Sequence, residues 1–108
     1  MSLLEITDQE FSQHVAPGND LTLAYFWASW CGPCRLMSPA IAALATDYAS
    51  QLKVLKLAVD DSRQTVDRYK VEGVPALRLF RGDQLLLSHE GALTKAKLLD
   101  LLKDYISK

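Results

Sequence analysis

The chain has two cysteines, and they stand together as Cys31-Gly32-Pro33-Cys34. Residues three apart on a helix are neighbours, so a small adjustment of a first helical turn lets two such sulfurs form and break a disulfide. The flanking sequence supplies that helix. Leu21 to Ala28 reads as a strand buried on both faces, and after it Met37, Ile41, Leu44, Ala45 and Tyr48 recur at helical spacing, with Cys34 on the same stripe. Cys31 therefore falls at a helix start, where backbone amides are unpaired and the macrodipole is positive. A thiolate is favoured there, and its pKa is expected to move towards the ~7 of such motifs. Cys31 is the expected nucleophile, and Cys34, one turn in and shielded, is the expected resolving thiol for a mixed disulfide. Gly32 allows close approach of a partner backbone, and Pro33 lies in the first turn, where a missing amide costs little.

Other chemistries find less support. A structural zinc needs four ligands, and only His14 and His89 could complete a set begun by the cysteines. They fall on a first helix and a hairpin strand, so they read as ordinary surface histidines and no metal is expected. No Ser-His-Asp arrangement, phosphate-binding glycine loop or paired-carboxylate case can be made from spacing. Twelve Lys and Arg against thirteen Asp and Glu leave no electrostatic footprint for nucleic acid or a lipid surface. The longest apolar runs, Leu23 to Ala28 and Ala40 to Ala45, are far below the ~20 residues of a membrane span. The first residues, Met-Ser-Leu-Leu-Glu-Ile-Thr-Asp, lack the features of an export signal. Two cysteines are too few for the staples of small secreted domains. The expected location is the reducing cytoplasm, and a removed transit peptide is compatible with it.

A composition of 49 % apolar and 23 % charged residues over 108 positions is that of one compact domain, expected to span 1–108. After an apolar start at Leu3 to Ile6, Thr7-Asp8-Gln9-Glu10 has capping-box spacing and predicts a helix to about Val15. Pro17-Gly18-Asn19-Asp20 marks a loop. The cysteine-bearing helix contains Pro39, where a kink is expected. Leu52 to Val59 reads as a strand, and Asp61 to about Tyr69 as a weaker helix supported by Val66 and Tyr69. Ala76 to Phe80 and Leu85 to His89 flank Arg81-Gly82-Asp83-Gln84, a tight-hairpin signal. Thr94 can cap a last helix with Leu98, Leu101, Leu102, Tyr105 and Ile106 on one face. The order implies an α/β fold: parallel strands joined by right-handed crossovers with an antiparallel edge, in a three-layer α/β/α sandwich.

Phe26-Trp27-Ala28-Ser29-Trp30-Cys31-Gly32-Pro33-Cys34 resembles the active-site signature of the thioredoxin family, and Gly73-Val74-Pro75 resembles its second motif. Asp60, Gly82 and Gly91-Ala92 stand at family-like separations, so the resemblance spans the chain. The phrases around Tyr25 and Val74 look most like a cyanobacterial subset of the family. The resemblance implies a thioredoxin fold with a central mixed five-stranded sheet and four helices. It also implies a cis Val74-Pro75 peptide facing the cysteines, and an apolar rim of Trp30, Gly32, Pro33, Val74, Pro75, Gly91 and Ala92 that receives a partner's extended segment.

One position departs from the family pattern. Where the family usually has a buried Asp on the central strand, this chain has Tyr25. That carboxylate is thought to exchange a proton with the resolving cysteine, and a tyrosine with a pKa near ~10 is no base at neutral pH. Lys56, which matches the family lysine near that carboxylate, is then expected to snorkel or to find the Tyr25 hydroxyl or another acceptor.

These features predict a protein disulfide reductase without a bound cofactor, because the dithiol itself holds the electrons. Its expected partners are disulfide-bearing target proteins and a thioredoxin reductase, flavin-dependent or ferredoxin-dependent, with the chain itself a monomer. The alternative is a docking subunit or chaperone that uses the same rim. Gly-Pro between the cysteines resembles the reductase branch, which ranks a net oxidase or isomerase lower.

Overall fold

Strand β2 (Leu21–Trp27) runs through the middle of the molecule, with every residue but Trp27 buried. Its position follows from its sequence: with apolar side chains on both faces, it is stable only when both are covered. In the computed structural model, which describes residues 3–18 and 20–106, it is the third strand of a five-stranded sheet. Asn19 of the expected loop lies outside the described residues.

The other strands are β1 (Leu3–Ile6), β3 (Lys53–Ala58), β4 (Ala76–Arg81) and β5 (Gln84–Glu90), in the order β1-β3-β2-β4-β5. β3 pairs parallel with β1 and β2, while β4 is antiparallel to β2 and β5. The helices are α1 (Asp8–His14), α2 (Gly32–Asp47), α3 (Arg63–Arg68) and α4 (Lys95–Leu102). None is long and apolar enough to cross a membrane.

Strand alternation divides the core in two. Leu21, Leu23 and Tyr25 pack with Met37, Ile41 and Leu44 of α2 and with Leu98 and Leu102 of α4. On the opposite face Ala24 and Phe26 join Phe11 of α1, Leu55, Leu57 and Phe80. Tyr69, just past α3, closes that side, its ring centroid 5.4 Å from Phe11 and 5.1 Å from Phe80. Val66 and Tyr69 thus support α3 as expected, although the helix is preceded by a 3-10 turn at Val59–Asp61.

The local signals in the sequence match the backbone unevenly. Thr94 caps α4 by accepting from the Lys97 amide at 3.2 Å. The hairpin turns at Gly82, whose φ of +61° suits glycine. At α1 the Thr7 hydroxyl makes no cap; it donates to the Glu10 carboxylate at 2.9 Å. α2 continues through Pro39 without ending. α4 stops at Leu102, but Ile106 still reaches the core because its amide and that of Tyr105 both turn back onto the Leu102 carbonyl.

Candidate active site

The cysteines sit where β2 hands over to α2. Cys31 is extended, with φ −97° and ψ 108°, and is the residue before the first helical turn. Its Sγ accepts from the Cys34 amide at 3.2 Å, the bond that a Ser or Asp oxygen makes at other helix starts. Pro33 occupies the first turn, so the unpaired donors there are few and one of them points at sulfur. Cys31 and Cys34 are joined as a disulfide, with Cα atoms 5.3 Å apart. Both are buried in this state, Cys31 keeping 5 % of its surface and Cys34 1 %.

The Val74-Pro75 peptide is cis, and the Val74 carbonyl oxygen lies 3.6 Å from Cys31 Sγ. The Pro75 carbonyl accepts from the Gly91 amide at 2.9 Å, which brings the segment ending in Gly91 and Ala92 alongside. Around the sulfurs, Trp30 is 67 % exposed, and Gly32, Pro33, Gly91 and Ala92 are also exposed. Val74 is half-buried, and Pro75 is buried and therefore shapes the rim from beneath. Trp30 is fixed by its indole N–H, which donates to Asp60 at 3.1 Å. Its ring borders an apolar groove with Val59, Val66, Val71 and Val74.

Leu36 was not singled out from the sequence, yet it is 82 % exposed. Three positions beyond Pro33 on α2, it shares the outward face of that residue, and its absence from the inward stripe was the available signal.

Tyr25 is fully buried beneath α2, its hydroxyl donating to the Cys34 carbonyl at 3.0 Å. Ser38 Oγ lies 3.2 Å from that hydroxyl and donates to the same carbonyl at 2.9 Å. Burial pushes the Tyr25 pKa above 10.0, with Ser38 opposing only in part. Lys56 is the cross-strand neighbour of Tyr25, but its ammonium lies over the Trp27 ring, 4.5 Å from the centroid. Of the alternatives expected for Lys56, the tyrosine hydroxyl is already engaged by Cys34 and Ser38, and the ammonium makes a cation–π contact on the same sheet face. A cleft of about 440 Å³, lined by Tyr25, Arg35, Ser38 and Lys56 among others, leads from solvent to this group.

The histidines lie apart from the cysteines. His14 Nδ1 is 3.2 Å from Lys53 Nζ, and burial, then the Lys53 charge, lowers its pKa. His89 is on β5.

The sequence profile of the thioredoxin family matches residues 2–104. A thioredoxin-like protein of Synechocystis sp. is 62 % identical over 104 residues, covering 96 % of this chain and 95 % of its own. The thioredoxin of Porphyra purpurea is 40 % identical, with 99 % of this chain and all of its own covered. That of Pseudomonas aeruginosa is 38 % identical, with 89 % of each covered. Profile, relatives and a cysteine pair at bonding distance agree, and the chain belongs to the thioredoxin family of thiol–disulfide oxidoreductases.

Proposed function

We propose that the protein reduces disulfides of other proteins, with Cys31 as nucleophile and Cys34 as resolving thiol. The Cys31 thiolate attacks a target disulfide, forming an intermolecular bond and releasing one target thiolate, which takes up a proton. The Cys34 thiolate then attacks Cys31 Sγ, closing the internal disulfide and releasing the second target thiolate. Two electrons pass to the target in each cycle. The observation that supports these roles best is the Cys34 amide directed at Cys31 Sγ: it stabilises negative charge on that sulfur, and among the described residues no such donor faces Cys34 Sγ.

Tyr25 cannot take the Cys34 proton at neutral pH, because burial raises its own pKa. In this reading the proton leaves through water in the cleft beside Ser38 and Lys56 or to the departing target thiolate. Targets lie across Trp30 and beside the Val74 carbonyl, with Gly32, Pro33, Gly91 and Ala92 completing the rim. The electron donor is a thioredoxin reductase, flavin-dependent or ferredoxin-dependent, and the protein acts as a monomer in the reducing cytoplasm.

Insulin reduction by the Cys31→Ser, Cys34→Ser double variant tests the activity, and Cys34→Ser alone should trap the intermolecular disulfide. Full biological function in the double variant would favour the docking-subunit reading instead.

A further inference from the structure

An arginine interrupts the apolar run Ala76-Leu77-Arg78-Leu79-Phe80, and its residue is only 3 % exposed. Arg78 Nε donates to the Tyr69 carbonyl at 3.2 Å, and Nη1 to the Leu77 carbonyl at 2.9 Å. Nη2 donates to the Lys70 carbonyl at 3.2 Å and to Glu90 Oε2 at 2.8 Å. Tyr69 and Lys70 end α3. Lys70 has φ +54°, and the Val71 amide returns to the Val66 carbonyl at 3.0 Å, a Schellman closure made without the glycine usual at this position. The guanidinium therefore holds the two carbonyls of a turn in a backbone conformation that lysine rarely adopts.

Glu90 holds the other half of the same loop. Its Oε2 also accepts from the Glu72 amide at 3.2 Å, and its carboxylate accepts from the Gly73 amide. The next residue, Gly91, donates to the Pro75 carbonyl. The Arg78 hydrogen bond, partly opposed by burial, keeps the Glu90 carboxyl ionised below its usual range. The end of β5 thus pins residues 72 to 75 from one side, while Arg78 pins 69 and 70 from beneath. Val74, whose carbonyl faces Cys31, lies between these anchors. Arg78 is buried but the Glu90 side chain is 33 % exposed, and an ion pair open to water on one side adds little stability by itself, so this one calls for another role.

We propose that Arg78 and Glu90 are positioning residues for protein substrates, holding the Val74-Pro75 edge ready for a partner's extended segment. The clamp rests on the docking surface proposed above. A loop already ordered spares the complex the entropy of ordering it, so the clamp acts on the binding of polypeptide disulfides. A small disulfide that reaches only the sulfur gains nothing from it.

The test uses Glu90→Ala, Glu90→Gln and Trp30→Ala, each assayed with insulin and with the small aromatic disulfide dithiobis(nitrobenzoate). Glu90→Ala should raise KM for insulin about tenfold, leave kcat within twofold and change the small-disulfide rate less than twofold. Glu90→Gln keeps an acceptor of the same shape and should recover most of the KM. Hydrogen exchange at the Glu72 and Gly73 amides should be faster in Glu90→Ala than in Glu90→Gln. An unchanged KM, or equal losses with both substrates, would overturn the clamp. Trp30→Ala separates the two readings: if it raises KM while Glu90→Ala does not, only the clamp falls. If Trp30→Ala leaves KM unchanged, the docking surface itself is wrong.

Discussion

Replacing Tyr25 by aspartate places a carboxyl at a position with no solvent exposure, between the central strand and the cysteine-bearing helix. Three contributions fix the outcome. The ring is lost from a core where removal of an aromatic side chain costs about 3–5 kcal/mol. The hydroxyl bond to the Cys34 carbonyl is lost as well, at about 1 kcal/mol or less, because Ser38 still donates to that oxygen. The new carboxyl is either protonated or paired with Lys56, its cross-strand neighbour, which must first leave the Trp27 ring.

A loss of about 3 kcal/mol lowers Tm by about 10 °C or more for a chain of this size. Burial raises the new carboxyl's pKa in the folded state above its unfolded value near ~3.9. Stability is then full below the unfolded value and falls as pH rises towards the folded one, so the Tm gap from the parent should widen between pH 5 and pH 8. Tyr25 itself, raised above 10.0, does not titrate in that window. Calorimetry at the two pH values reads the gap, and an unchanged Tm or a gap that narrows with rising pH refutes the packing argument. If proton removal from Cys34 limits resolution, the same variant should resolve mixed disulfides faster in stopped-flow single turnovers. An unchanged or slower rate counts against proton removal from Cys34 being the slow step in the parent.

Two further predictions concern stability. Asp8 accepts from the Thr65 hydroxyl at 2.6 Å, the Thr65 amide at 2.9 Å and the Gln64 amide at 3.0 Å, so it caps α3 from another helix. Asp8→Asn should cost about 1–2 kcal/mol at pH 7 by denaturant titration. Although burial opposes it, these bonds hold the Asp8 pKa below 3.8, so the parent's advantage is present above that value and should disappear as pH falls through the lower, folded one. A difference unchanged in acid would refute this. Thr94→Ala removes the N-terminal side-chain cap of α4 and should cost about 1 kcal/mol, read as a lower urea midpoint with an unchanged slope.

What the sequence made legible was local. The strand-to-helix junction at the cysteines, the central place of β2 and the Thr94 cap follow from residue types within one or two turns of each other. The missed features pair residues that spacing cannot connect. Asp8 meets Thr65 across the chain, Lys56 finds the Trp27 ring in place of the tyrosine hydroxyl, and Arg78 gathers the end of α3 and the end of β5. Only an arginine within an apolar strand hinted at the last. The Thr7-Glu10 pair shows the converse: its spacing suits a capping box, but the hydroxyl donates to the carboxylate and caps no helix amide.

The roles of the two cysteines require that the sulfur at the start of α2 be ionised and reachable while its partner is held behind it. Limiting alkylation of the fully reduced protein at neutral pH, followed by peptide mapping, addresses it directly. Cys31 should be modified first, with Cys34 labelled only after unfolding. Modification of Cys34 first, or of neither cysteine in the folded state, would contradict it.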